Sequence, residues 1–307
     1  VDLFSSRLFP VLLPPLTGFC VGTLSGFYGV GGGWLITPVL NIFGLSMGTA
    51  IGTSLLHITV VSLFGSLRHW KMKNLDPRTG LLTGGPAVGG VYAGRALVIA
   101  LEEAGRADTA IRVAYIVFLL GVGVYMMFER GARRDKIHKG LRLPGPAIEI
   151  PGEDGRPVKV PVILLMVIGL GVGFLSAAMG VGGGFVLLPL LIYAAGFPVG
   201  RAVGTSLFSV LIMGATGGAV YGIAGRVSWR VLLFMSGPGI LGVYLGSAGA
   251  GRAHGEKTKK LFAYTLLAGA CAVLFKQSGL DRVSSVFVIT VMVISTVLIF
   301  IVSLRHK

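Results

Sequence analysis

The sequence predicts an all-α polytopic membrane protein made of two inverted-topology repeats of about five helical segments each, with broken or re-entrant helices and one extra C-terminal helix. Three observations lead there: the scarcity of charge, apolar runs of membrane length, and a glycine-rich block that occurs twice. Of 307 residues, 53% are apolar and 13% charged, against about 25% charged in soluble chains. So few charges cannot cover a water-facing surface. The apolar residues gather in runs of about 20, enough to cross a hydrocarbon layer of about 30 Å as helices.

Breaks rich in charge or turn residues divide these runs into segments near 10–29, 33–44, 48–67, 79–101, 109–128, 160–179, 184–196, 202–224, 229–249, 258–275 and 283–304. Two of them, 33–44 and 184–196, are too short to span and suggest re-entrant or half-crossing helices. The net charge of +15 lies between the spans, at Arg68 to Arg78, Arg130 to Lys159 and Arg252 to Lys260. It therefore sets orientation and does not describe a nucleic-acid face. The loop with Glu102, Glu103 and Asp108 is acidic and is expected outside. Cys20 and Cys271 both fall within spans, which implies no disulfide framework.

The stretch from Gly22 to Leu40 aligns without gaps to Gly173 to Leu191, with ten of nineteen positions identical. AIGTSL at Ala50–Leu55 returns as AVGTSL at Ala202–Leu207, and GPAVGGVYAG at Gly85–Gly94 returns as GPGILGVYLG at Gly237–Gly246. Three blocks in one order mean duplication. The expected organisation is a first transmembrane repeat at 1–128, a cytoplasmic connector at 129–159, a second repeat at 160–282 and an added helix at 283–307. An odd number of segments per copy turns the second copy upside down, and the loop charges modestly favour that arrangement. The connector, with IEIPGEDGRPVKV, is either a small hairpin around Gly152–Gly155 or a flexible link.

GVGGG at Gly29–Gly33 and Gly180–Gly184 is costly in a membrane helix, because each glycine destabilises it by about 1 kcal/mol. Such a break is tolerated at depth where protein or a water-filled cavity satisfies the backbone. The short helix after each break offers free N–H groups and a positive dipole end, which favour an anion. Glycines that only let helices approach closely are the alternative. Thr53, Ser54, Thr205 and Ser206 add neutral hydroxyl donors, or else bond back to their own helices. His57 shares a helical face with Thr53 and Ser54 and either meets substrate or makes a structural hydrogen bond, and Arg95, about two turns from the acidic end of its helix, either meets substrate or snorkels toward that end. Asp and Glu are absent from the predicted span interiors, which argues against a cation path. No phosphate loop, HExxH pair or GxSxG elbow is present, so an enzyme is not expected and no cofactor or metal is called for.

GxxSGxxGVGGGxLxxPxL followed by AxGTSL, repeated in the second half, closely resembles the TauE/SafE family, also called the toluene sulfonate uptake permease family. The resemblance implies a secondary carrier for sulfite, sulfoacetate or a related organosulfonate, often an exporter, in the cytoplasmic membrane. Carried over by position, it implies substrate contacts at Gly31, Gly32, Gly33, Thr53 and Ser54, and at Gly182, Gly183, Gly184, Thr205 and Ser206. His57 and Arg95 come from the physical argument alone. Expected partners are the sulfur-containing oxyanion and membrane lipid, without nucleic acid; a homo-oligomer is compatible with this. An anion channel or a scaffold without transport is the competing reading.

Overall fold

A computed structural model of the chain describes residues 9–128, 145–151, 157–250 and 256–305. The apolar runs become helices α1 (Phe9–Tyr28), α2 (Gly33–Ile42), α3 (Met47–Lys71), α4 (Pro77–Glu103) and α5 (Ala107–Phe128) in the first half. After two strands, β1 (Ala147–Pro151) and β2 (Pro157–Pro161), come α6 (Val162–Met179), α7 (Gly184–Tyr193), α8 (Val199–Ile223), α9 (Trp229–Ala250), α10 (Glu256–Gln277) and α11 (Asp281–Arg305). Among the described residues, seven helices (α3, α4, α5, α6, α8, α9 and α11) are long and apolar enough to cross a membrane. The protein is an all-α polytopic membrane protein.

Local chemistry sets the helix ends. Asp76 accepts a hydrogen bond from the Arg78 N–H at 3.2 Å, and Pro77 opens α4 with a fixed φ and no N–H to lose. α8 stops at Gly225, whose φ of 69° lets the Arg226 N–H fold back to the Tyr221 carbonyl at 2.9 Å. The connector is a hairpin where it is described, with Ile148 opposite Val160 and Glu149 opposite Lys159, the latter pair joined at 3.6 Å. The turn expected around Gly152–Gly155 and most of the basic connector lie outside the described residues.

Neither half folds on itself. α1 packs chiefly along α9, and α4 along α6, so the first helix of each half lies against the fourth helix of the other. The glycine pattern explains the choice. A Cβ built on Gly22 would lie 2.9 Å from the Gly239 carbonyl carbon, and one on Gly90 would lie 2.7 Å from the Phe174 nitrogen. Such backbone approach is open only to glycine. Gly18 meets Met235 and Gly26 meets Val243, so α1 and α9 run parallel.

Counterpart helices instead run antiparallel. Gly65 of α3 meets Leu207 of α8, while Gly217 meets Leu55. Likewise Gly123 of α5 meets Leu267 of α10, and Gly269 meets Leu119. α3 and α8 form the centre, with 67% and 61% of their apolar windows buried against 28–50% for the other candidate spans. Large apolar side chains such as Val117, Val167, Leu233, Leu241 and Ile294 face outward, as lipid contact requires. α11 lies on α10, α1 and α9, and its outer face is apolar (Val286, Val293, Val297, Ile301).

Candidate functional site

The two GVGGG blocks become reversals of the chain. Gly29, Gly31 and Gly32 have φ of 73°, 76° and 76°, and Gly180, Gly182 and Gly183 have 71°, 70° and 76°. Side chains with a Cβ rarely adopt this left-handed region. Gly32 sits back beside Val21, with its Cβ position 3.1 Å from the Val21 carbonyl oxygen, and Gly183 sits back beside Val172 in the same way. Each half therefore reverses its chain at the break, and the short helix that follows packs mainly on α3 in the first half and on α8 in the second.

The two reversals touch. A Cβ on Gly33 would stand 2.6 Å from the Val181 carbonyl carbon, and one on Gly184 would stand 2.5 Å from that of Val30. Ile58 of α3 and Val210 of α8 flank both tips, against Gly31 and Gly182. The six glycines picked from the sequence, Gly31, Gly32, Gly33, Gly182, Gly183 and Gly184, are thus brought to one place.

Backbone polarity at the tips is lopsided. The Gly29 and Gly180 N–H groups still bond to the Ser25 and Ser176 carbonyls at 2.8 and 2.7 Å, and regular bonding resumes at Leu35 and Val186. Between them, the N–H groups of residues 30–34 and 181–185 meet no acceptor among the described residues, although Val30, Trp34, Val181 and Phe185 are at most 1% exposed. The carbonyls on the second tip are well served: Tyr221 donates to Ala177 at 2.8 Å, Tyr115 to Met179 at 2.5 Å, and Thr37 and Ser54 to Gly180 at 2.9 and 2.8 Å. Satisfied carbonyls beside unsatisfied N–H groups leave a net positive local field, which suits an anion.

The hydroxyls divide into two groups. Thr53 donates to the Thr49 carbonyl at 2.7 Å and accepts from the Ser228 N–H at 2.9 Å. Its proton is spent, and it holds the start of α9. Thr205 does the matching job for α4, accepting from the Asp76 N–H at 3.0 Å. Ser54 is committed to Gly180, whereas its counterpart Ser206 is buried with no hydrogen-bond partner.

Three further serines near the tips, which sequence reading passed over, share that condition. Ser25, Ser176 and Ser62 are buried with unpartnered hydroxyls; the first two stand one turn before each tip, and Ser62 Oγ lies 3.5 Å from the Cβ position of Gly31. The signal was available, because Ser25 and Ser176 are identical positions in the duplicated block.

His57 turns away from the tips, toward α9 at Gly239, and both ring nitrogens are buried without partners. Its counterpart Ser209 instead meets the Thr83 hydroxyl at 2.7 Å. Arg95 follows Gly94, which packs against Phe174 and Ala178, but its guanidinium points along α4 and ends 3.5 Å from Glu102 and 4.4 Å from the Tyr221 ring centroid, near the C-terminal end of α4.

No solved structure matches the chain. A "Probable membrane transporter protein" of Methanocaldococcus jannaschii is 32% identical over 256 residues, covering 78% of this chain and 86% of the relative. The Bacillus subtilis "Probable membrane transporter protein YunE" is 27% identical over 246 residues, covering 75% of this chain and 85% of the relative, and B. subtilis YjnA is 27% identical over 229 residues, covering 74% and 86%. The family model described as "Sulfite exporter TauE/SafE" matches residues 15–273, and the chain belongs to that family of membrane transporters.

Proposed function

We propose that the protein is a secondary transporter that exports a small sulfur-containing oxyanion, such as sulfite or sulfoacetate, across the cytoplasmic membrane. The observation that carries this reading is the meeting of the two glycine tips, where the N–H groups of five consecutive buried residues from each half have no acceptor among the described residues. Buried N–H groups are rarely left orphaned, and each one costs about 1–3 kcal/mol. An oxyanion supplies acceptors that match them. The unpartnered hydroxyls of Ser25, Ser62, Ser176 and Ser206 add neutral donors nearby. Gly31 to Gly33 and Gly182 to Gly184 then bind through the backbone, while Thr53 and Thr205 act by fixing the helices around the site. His57 is the ionisable group nearest the centre of α3.

The antiparallel run of α3 against α8, and of α5 against α10, supports a second half that is turned over relative to the first. In such an arrangement two equivalent mouths open alternately on one central site. The acidic end of α4 would face outside and the connector hairpin the cytoplasm. The family name supports sulfite as the first anion to try.

Binding of sulfite, sulfoacetate, sulfate and thiosulfate to the purified protein tests the reading. Saturable binding of at least one sulfur oxyanion, with weaker binding of chloride, is expected. Failure of every anion in the panel to bind would overturn it.

A further inference from the structure

The two mouths flanking the tips are closed by the same backbone contacts but differ in charge. At one mouth, Gly52 lies against Tyr221 and Arg226, with its Cβ position 2.9 Å from Tyr221 Cβ, and Thr53 takes the Ser228 N–H. At the other, Gly204 lies against His69 and Asn74, 2.9 Å from His69 Cβ, and Thr205 takes the Asp76 N–H. Duplication makes these positions equivalent. At the first mouth one carboxylate meets two guanidinium groups, Glu102 Oε2 lying 3.5 Å from Arg95 and 3.3 Å from Arg226, whereas at the second the Asp76 carboxylate is used in capping α4. The counterparts of Arg95 and Arg226 are Ser247 and Asn74, so the repeat itself did not supply the cations.

Asp108 nearby accepts from the Met47 N–H at 3.0 Å, and among the described residues Glu102 is the one carboxylate within ion-pair distance of either guanidinium in this cluster. Little water reaches the cluster, since the side chains of Arg95 and Glu102 are 9% and 19% exposed, while Arg226 is 43% exposed at the rim. Arg95 Nη1 is buried and makes no hydrogen bond; its contact with Glu102 is a charge contact only. A carboxylate is itself a small oxyanion, and a guanidinium fork that accepts one also fits a sulfite or sulfonate group.

We propose that Arg95 and Arg226 form an oxyanion-receiving site at this mouth, and that the Glu102 carboxylate occupies it as a tethered competitor. The inference rests on the anion-transport reading above and assigns it a second, peripheral site. An incoming anion displaces Glu102, and Glu102 reseals the mouth when the anion leaves. The site is connected to the tips through one residue: Tyr221 underlies the Arg95 guanidinium and donates its hydroxyl to the Ala177 carbonyl, one turn before Gly180.

The test is the dissociation constant for sulfite of the purified full chain, compared among wild type, Glu102→Gln and Arg226→Gln. Removing the competitor's charge should tighten binding about two- to fivefold, the scale of a partly exposed charge pair. Arg226→Gln, at the half-exposed rim, should weaken it by a similar factor without altering thermal stability in detergent. Unchanged or weaker binding in Glu102→Gln, in protein that melts like wild type, would overturn the proposal, as would wild-type affinity in Arg226→Gln. Those outcomes leave the transport reading standing. Absence of anion binding to wild type would defeat both.

Discussion

Gly184→Ala, and equally Gly33→Ala, is expected to abolish anion transport and to destabilise the protein by about 1–3 kcal/mol, the usual cost of overpacking. Both residues open short helices and neither has a positive φ. Helix propensity alone therefore predicts a gain of about 1 kcal/mol from alanine. What reverses the sign is the facing tip. The new methyl group on residue 184 would stand 2.5 Å from the Val30 carbonyl carbon, and that on residue 33 would stand 2.6 Å from the Val181 carbonyl carbon. These are backbone atoms and cannot rotate aside, so the tips must separate and the N–H groups they gather lose their common focus. Thermal unfolding in detergent together with anion uptake into proteoliposomes checks this. Stabilised, fully active alanine variants would show that the contact between tips is dispensable.

The second large effect is expected at the crossed pairs α1/α9 and α4/α6. Gly22→Val places a branched side chain against the Gly239 backbone, and Gly90→Val places one against Leu170 and Phe174. Both changes raise apolarity, so insertion should persist while assembly fails. Because α1 makes the most extensive contact with α9, and α6 with α4, either substitution loosens the packing of one half on the other, which α3 against α8 and α5 against α10 still join. Size-exclusion profiles in mild detergent should shift from a single peak to aggregate. Gly85→Val and Gly237→Val are the controls, since nothing lies within 4 Å of a Cβ at either position. They should elute like the native protein, and loss of assembly in them as well would refute the packing argument.

Much of this fold could be read from the residues. Helix positions followed from apolar length, and the short α2 and α7 followed from runs too brief to span. The reversals followed from GVGGG, because three left-handed residues in five cannot continue a helix. The exchange of helices between halves could not be read. Gly18, Gly22 and Gly26 announce that some backbone comes close to α1, but a glycine stripe carries no label for its partner.

The hydroxyls show the same limit. The spacing of Thr53 and Ser54 fixes them on α3 but not the rotation of α3, and that rotation sends Thr53 to Ser228 and Ser54 to Gly180. Arg95 and Glu102 are seven residues apart, two helical turns, so their pairing was legible. The arrival of Arg226 from the α8–α9 loop was not, since it depends on the packing of the second half against the first.

On the reading proposed above, the joined glycine tips form a saturable carrier site that passes an oxyanion from one side of the membrane to the other. Counterflow of labelled sulfite in proteoliposomes measures this most directly. The predicted result is uptake that saturates with sulfite and is accelerated by unlabelled sulfite loaded inside. Flux that rises linearly with concentration, follows membrane voltage and ignores the internal anion would contradict it and identify a channel.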